Sequence, residues 1–415
     1  MTTQVLYHAI GVDSYAATRC WEKEGVFCLQ MEAPSSCHRC SKCGCGDVIH
    51  RGTVIHRGTV IHRGTFDRTV HAPPIDTYRT QLFIKGPRLE CRRYQQVLNA
   101  AIPKVVPHCQ YTESFARLVI DLRKMMTIQD VARYLGVSET MIRSIDKKYL
   151  QQNFGKPRLR DLKIIAIDEI YVGRRHQFLT VVINWETGAI VFVGNGKGET
   201  SLKPFWKRVY SSHAKIQAVA TDMSSAYYAA VLKNLPKAKH VFDRFHIIKL
   251  MNDKLTELRR RMHAEAEGMA KPVLKGIRWL LLKREEHLND AKNEKARLKQ
   301  ALELNQPLMT AYYLKEELGQ LWQQPNKITA ERFLKNWCNH ATESGIKVLQ
   351  TMAKTLQAHR SDVLNWYDFR ISSGPLEGIN NKIGALQRMA YGYRDQVDFK
   401  LKLYALHLAK FALIG

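Results

Sequence analysis

Residues 163–243 limit the fold more than any other stretch, because short runs rich in Val and Ile alternate there with helix-like segments. LKIIAID (162–168), FLTVVINW (178–185) and AIVFVGN (189–195) read as three consecutive strands, the last two separated by only ETG. ETSLKPFWKRVY (199–210) is a helix candidate, IQAVATD (216–222) a fourth strand, MSSAYYAAVLKNL (223–235) a helix and KHVFD (239–243) a fifth strand. This is the pattern of an α/β sheet, which opens a crevice to ligands at its strand ends. From about 246 to 360 the chain is charged and helical, with apolar spacing near 3.6 in LMNDKLTELRRRM and RWLLLKREEHL. After Trp366 a loop, ISSGPLEG, precedes a helix to about residue 390 and a last amphipathic helix, FKLKLYALHLAKFAL.

The acids of this region are placed for chemistry. Asp168 ends the first strand and Asp222 the fourth. A carboxylate directly after IIAI or AVAT is costly in a core unless it is paired or metal-bound. Each alone also reads as a cap for the following helix. A third acid, Glu377, falls in the first turn of the helix opened by Gly374 and Pro375. Glu377, Asn381, Gly384 and Arg388 follow i, i+4, i+7, i+11 and share one face, which is either a site or a solvated surface. Glu169 adjoins Asp168, but neighbouring strand residues point to opposite faces, so Asp168 is the candidate. Asp243 ends the fifth strand with His246 three residues later, a pair suited to orienting a ligand or a phosphate, or to a structural hydrogen bond.

Charge names the partner. The 415 residues, enough for two to four domains, carry 64 Lys plus Arg against 38 Asp plus Glu, a net +26. Such an excess attracts polyanions, and phosphate contacts release counterions, so nucleic acid is the leading partner and a membrane surface the lesser one. No run of 18 apolar residues occurs, and the first residues lack the pattern of a signal peptide, so a cytoplasmic protein is expected. Within 127–150, TIQDVARYLGVSETMIRSIDKKYL fits a helix-turn-helix: Ala132 lets the helices approach, Gly136 turns, Val137 fills the core and Ser138 caps the second helix. Thr140, Arg143 and Lys147 then face DNA. An ordinary helical hairpin is the plainer alternative. GNGKGETS (194–201) lacks the G-x4-G-K-[ST] spacing of a phosphate loop, which excludes nucleotide binding there.

Eight of the nine cysteines lie at or before Cys109. In a reducing compartment that crowding reads as metal binding. CHRCSKCGC holds Cys37, Cys40, Cys43 and Cys45, and Cys40-x2-Cys43-Gly has the form of a zinc knuckle. Pro73-Pro74 and Gly86-Pro87 read as turns. VIHRGT occurs three times in tandem (48–53, 54–59, 60–65), too few copies for a solenoid and better read as a duplication in a surface hairpin or loop.

The strings IIAIDEIYVG, AVATDMSSAYYAAVLKNLPKAKHVFDRFHIIKLMN, RWLLLK, LMTAYYLKEELGQLW and GPLEGINNKIGALQRMAYGYRD resemble the bacterial insertion-sequence transposases of the ISL-three family, in the family's order, from about residue 120 to the end. The resemblance implies an α/β fold with an RNase H-like mixed-sheet core interrupted by an all-α insertion, preceded by a helix-turn-helix and a small cysteine-rich zinc-binding module. It implies a DDE triad on Asp168, Asp222 and Glu377 that holds two Mg²⁺ (or Mn²⁺) ions. Asn381, Lys382 and Arg388 join the expected DNA contacts, with Asp243 and His246 auxiliary. In the family the second zinc knuckle pairs Cys91 with a cysteine at position 94, where this chain has Tyr94. The fourth thiolate therefore falls to Cys37 or Cys45, or the site has decayed.

The expected domains are a cysteine-rich module (1–110), a helix-turn-helix domain (111–155), a first core part (160–250), a helical insertion (251–365) and a final core part (366–415). The expected activity is strand cleavage and transfer at terminal inverted repeats, by a homo-oligomer on double-stranded DNA. A DNA-binding descendant without catalysis is the alternative, and a stand-alone nuclease a third reading.

Overall fold

The computed structural model describes residues 10, 12, 15–32, 39, 40, 42–44, 48–50, 64–91, 93–100, 102–172, 178–267, 270–372, 374–390, 393 and 395–407. It divides into two compact units that meet in sequence at Asn153 and Phe154.

The first unit is a β-sheet module followed by three helices. β1 (Ala16–Lys23) and β2 (Val26–Glu32) form a hairpin through Glu24 and Gly25, both at positive φ (52° and 72°). A two-residue turn with both φ positive matches the twist of paired strands. The hub is β5 (Tyr78–Cys91), which takes β2 in parallel and β3 (Val48–His50), β4 (Thr65–Ile75) and β6 (Gln96–Asn99) in antiparallel register. The sequence pattern did not reveal this sheet. Gly86-Pro87, expected as a turn, lies inside β5. The partner changes there, with β4 pairing up to Pro87 and β6 from Arg88. The missing proline N–H therefore costs no ladder bond, while the Pro87 carbonyl accepts from the Ala100 N–H at 3.0 Å. Gly86 is needed for space: a Cβ there would stand 2.8 Å from the Phe66 ring. Pro73-Pro74 sits at the end of β4, where the register slips between Ala72 and Ile75. Most of the VIHRGT repeat, including 51–63, lies outside the described residues.

The helices are α1 (Glu113–Arg123), α2 (Ile128–Leu135) and α3 (Glu139–Phe154). Side-chain caps open all three: the Thr112, Thr127 and Ser138 hydroxyls accept from the N–H groups of Phe115, Asp130 and Met141 at 3.1–3.2 Å. Gly136 turns the chain at φ 63°, as the left-handed C-cap of α2 requires. Phe115, Val119, Val131, Leu135 and Ile142 fill the small core between the helices.

The second unit is built on a five-stranded mixed sheet: β7 (Ile164–Tyr171), β8 (Phe178–Asn184), β9 (Ile190–Asn195), β10 (Ala218–Thr221) and β11 (Lys239–Phe242), in the order β11-β10-β7-β8-β9. β7, β8 and β9 are antiparallel neighbours, whereas β10 and β11 run parallel to β7. Helices α4 (Glu199–Ser212) and α5 (Ser225–Asn234) cover the face carrying Ile165, Ile167, Val182 and Val219, through Leu202, Phe205, Trp206 and Val231.

β11 runs directly into α6 (Arg244–Glu265), so the helical part begins without a linker. It continues through α7 (Ala270–Gly276), α8 (Glu294–Glu303), α9 (Gln306–Gly319), α10 (Lys327–Glu343), α11 (Lys347–Ala358), α12 (Arg360–Leu364) and α13 (Trp366–Phe369) around one apolar core. Trp337 is fully buried at its centre, and its indole N–H donates to the Leu314 carbonyl at 2.8 Å. The chain then returns to the sheet. α14 (Gly374–Met389) and α15 (Gln396–Tyr404) bring Leu376, Ile379, Ile383, Phe399 and Leu403 onto the other sheet face, against Ala166, Val181, Val193, Ala220 and Val241.

Candidate active site and thiol cluster

Strand alternation sorts the acids. Ala166 and Ile170 face α14 and α15, so Asp168 between them does too, and Asp222 and Asp243 continue the alternation of Ala218, Ala220 and Val241 onto that same face. The parallel registers pair Ala220 with Ala166 and Thr221 with Phe242. Continued to the next residues on that face, they bring Asp168, Asp222 and Asp243 level on three adjacent strands about 4.8 Å apart. Asp168 does not end its strand as expected. β7 runs on to Tyr171 because β8 pairs with it as far as Phe178, while the shorter β10 stops just before Asp222.

The carboxylates are held by backbone and by an amide. Asp168 Oδ1 accepts from the Glu169 N–H at 2.7 Å, and Asp168 Oδ2 accepts from Asn380 Nδ2 at 2.8 Å. Asp222 Oδ1 accepts from the Ser224 N–H at 3.1 Å. Behind Asp222, the Thr221 hydroxyl bonds the buried His240 ring at 2.8 Å, and Asn365 donates to the His240 carbonyl at 2.9 Å. Asp243 is buried and caps α6 by accepting from the Phe245 N–H at 3.0 Å, with His246 at 3.9 Å. Burial pushes the Asp243 carboxyl upward, and the charge of Asp168 adds to that, against the pull of the Phe245 N–H and His246. Acids that crowd one another this way suit a divalent cation with hard oxygen ligands.

Glu377 lies in the first turn of α14 and is exposed, as are Asn381, Lys382 and Arg388. The residue of that helix that reaches the strand acids is Asn380, three after Glu377, and the i, i+4 reading passed over it. NN in EGINNK was the available signal; only the helix rotation set by Leu376, Ile379 and Ile383 tells the two asparagines apart. Glu169 faces the opposite side. Its carboxylate accepts from the Tyr227 hydroxyl at 2.8 Å, within a buried set that includes Thr180, Ser201 and the Gly198 N–H. Burial pushes the Tyr227 hydroxyl up to about 12.

In the first unit, Cys40, Cys43 and Cys91 gather their sulfurs within 4.8 Å of one another. The Cys43 and Cys91 sulfurs are 3.9 Å apart, close to the ~3.8 Å edge of a tetrahedron with ~2.3 Å Zn–S bonds. Gly44, at φ 71°, closes the knuckle by donating to the Cys40 carbonyl at 2.9 Å, and the Lys42 N–H approaches the Cys40 sulfur at 3.4 Å. Burial raises the Cys40 thiol, a cost that a bound cation removes. Tyr94 is no ligand here; its ring carries the Lys42 ammonium 4.4 Å from the centroid. Cys37 and Cys45 lie outside the described residues. On α3, Thr140 and Arg143 are exposed and Lys147 is half-buried.

Residues 165–403 match the family model described as a transposase, and residues 100–150 match the helix-turn-helix domain of transposase family ISL3. The chain belongs to this transposase family. It is similar to the transposase for insertion sequence element IS1001 of Bordetella parapertussis, with 29% identity over 342 residues that cover 81% of this chain and 84% of the relative. It is also similar to the IS1557 transposase of Mycobacterium tuberculosis, with 25% identity over 344 residues and 77% of each chain. Among solved structures, the Drosophila P element transposase strand transfer complex shares 10% identity at a TM-score of 0.39, over 73% of this chain and 94% of that one. The transposase thus has a DNA-binding helix-turn-helix ahead of a mixed-sheet unit with a helical insertion. None of its described helices is long and apolar enough to cross a membrane.

Proposed function

We propose that the second unit is an RNase H-like nuclease core and that Asp168, Asp222 and Glu377 hold divalent ions for strand cleavage and transfer at the terminal inverted repeats of the element. The observation that supports this most is the level line formed by Asp168 within β7 and by Asp222 and Asp243 just past β10 and β11, on the face covered by the helix of Glu377 and tied to it by Asn380. Mg²⁺ or Mn²⁺ bound there supplies charge neutralisation for the attacking and leaving oxygens. Hydrogen bonds from the Glu169 N–H, Asn380 and the Ser224 N–H hold the Asp168 and Asp222 carboxylates. Glu377, exposed in the first turn of α14, completes the ligand set from the opposite wall.

In the first reaction a water oxygen attacks a phosphorus at the element end, the bond from phosphorus to the 3′ oxygen breaks, and that oxygen leaves as a 3′ hydroxyl. In the second, that 3′ hydroxyl oxygen attacks a target phosphorus, forming a new phosphodiester while the phosphorus–3′ oxygen bond of the same target strand breaks and the target's 3′ oxygen leaves as a hydroxyl. Asp243 keeps a supporting role as cap of α6, with His246 beside it. Thr140, Arg143 and Lys147 on α3 read the repeats, and Asn381, Lys382 and Arg388 line the DNA path along α14. Cys40, Cys43 and Cys91 hold a zinc ion whose fourth ligand is Cys37 or Cys45. Two ends must be brought together, which calls for a homo-oligomer on DNA.

The test is cleavage of a labelled element end with Mg²⁺ or Mn²⁺. Wild type should cut, and Asp168→Asn should bind equally but not cut. Equal cutting, or none by either protein, removes the catalytic reading and leaves a DNA-binding descendant.

A further inference from the structure

Asp168 and Asp222 reach their places by different means. Asp168 stands inside the β7–β8 ladder, opposite Val181, so the sheet itself sets its backbone. Asp222 lies one residue beyond β10, whose last paired residue is Thr221. Its main-chain carbonyl is taken by a side chain: the Thr221 hydroxyl donates to it at 2.6 Å. A hydroxyl has a single proton to give. Toward the His240 ring, 2.8 Å away, the same oxygen therefore accepts, and Nε2 of His240 carries the hydrogen.

Thr221 and His240 are both buried, and the helical part grips the histidine from behind. The His240 carbonyl accepts from Asn365 Nδ2 at 2.9 Å. The Lys327 ammonium, 3.3 Å from Asn365 Oδ1, decides which way that amide points. Asp362 on α12 sets one oxygen 3.7 Å from His240 Nδ1 and the other 3.4 Å from His359 Nδ1. Tyr228 and Phe242 close on the imidazole in T-shaped contacts, with ring centroids 5.0 and 4.7 Å from its own. Burying an imidazole, a hydroxyl and an amide costs more than burying apolar side chains of the same shape. What the arrangement secures is the peptide that carries Asp222.

We propose that His240 is a positioning residue for divalent-ion binding: held by Asp362 and Asn365, it fixes Thr221 and through it the Asp222 peptide, and so aims the Asp222 carboxylate. The helical part thereby acts on a sheet acid through a chain of side chains rather than through the strand ladder. This deepens the reading of Asp222 as a metal ligand and rests on it.

The test is a titration of the full-length protein, without DNA, with Mn²⁺, whose free ion is followed by electron paramagnetic resonance. The thermal unfolding midpoint is measured alongside. Wild type should bind, and Asp222→Asn should lose affinity. Thr221→Val, which keeps the shape and drops the hydroxyl, should weaken Mn²⁺ binding about tenfold, as should His240→Leu. Thr221→Ser should bind as wild type does. His240→Gln, whose amide nitrogen can stand where Nε2 stood, should recover most of what His240→Leu loses. A network that only supports the fold would lower the unfolding midpoint of Thr221→Val and His240→Leu and leave their Mn²⁺ affinity at the wild-type level. That result overturns the inference, and so does an equal loss of affinity in Thr221→Val and Thr221→Ser. Weakened binding in Asp222→Asn alone removes this inference and leaves the metal reading of Asp222 standing, whereas wild-type binding by Asp222→Asn overturns both.

Discussion

Asn380 on α14 donates its side-chain amide to Asp168 on β7 at 2.8 Å, joining positions 212 residues apart. The bond fixes one carboxylate oxygen of Asp168 and ties it to the helix that bears Glu377. Asn380→Ala should fold normally and cut about tenfold more slowly, a loss of the size expected for one hydrogen bond to a charged group. Asn380→Asp, which places a like charge on Asp168, should be slower still. Single-turnover cleavage of a labelled end, with circular dichroism as the control, measures both.

Glu169 and Asp168 are neighbours with different tasks. Glu169 accepts from Tyr227 on the α4–α5 side of the sheet, so Glu169→Gln should keep cleavage while Asp168→Asn loses it. Tyr227→Phe strands Glu169 and the Gly198 N–H, and should lower unfolding free energy by about 1–3 kcal/mol in a urea titration.

Zinc content tests the thiol cluster. One zinc ion per chain is expected by elemental analysis, and Cys91→Ser should reduce it, because Cys91 joins the knuckle to β5. Retention of full zinc by Cys91→Ser would remove Cys91 from the site. Tyr94→Cys should leave the count at one and slow zinc loss to a chelator, since it restores a second knuckle.

Arg143 is exposed on the second helix of the helix-turn-helix. Arg143→Ala should weaken binding to the inverted repeats by about 1–3 kcal/mol if it reads a base. If it contacts phosphate instead, the loss should be the same on unrelated DNA, and the slope of log affinity against log salt should fall by about one. Thr140→Ala and Lys147→Ala give the same comparison for their neighbours.

Much of this transposase is legible in its residues. Strand and helix order across 163–243, the helical stretch that follows, the turn at Gly136 with its Ser138 cap, and the Cys40–Cys43 knuckle all rest on contacts within a few residues. Local periodicity and backbone geometry record such contacts directly. The N-terminal sheet escaped because its hub, β5, contains Gly86-Pro87, and only a change of partner strand at that point makes the pair harmless. The alignment of Asp168, Asp222 and Asp243 follows from the register of β10 with β7, whose partners such as Ala218 and Ile164 lie 54 residues apart, and with β11, whose partners such as Ala218 and Lys239 lie 21 apart. The choice of Asn380 over Asn381 follows from how Leu376, Ile379 and Ile383 seat α14 on the sheet. Chain-local chemistry selected the acids; long-range pairing and core packing decided which face they share and which amide reaches them.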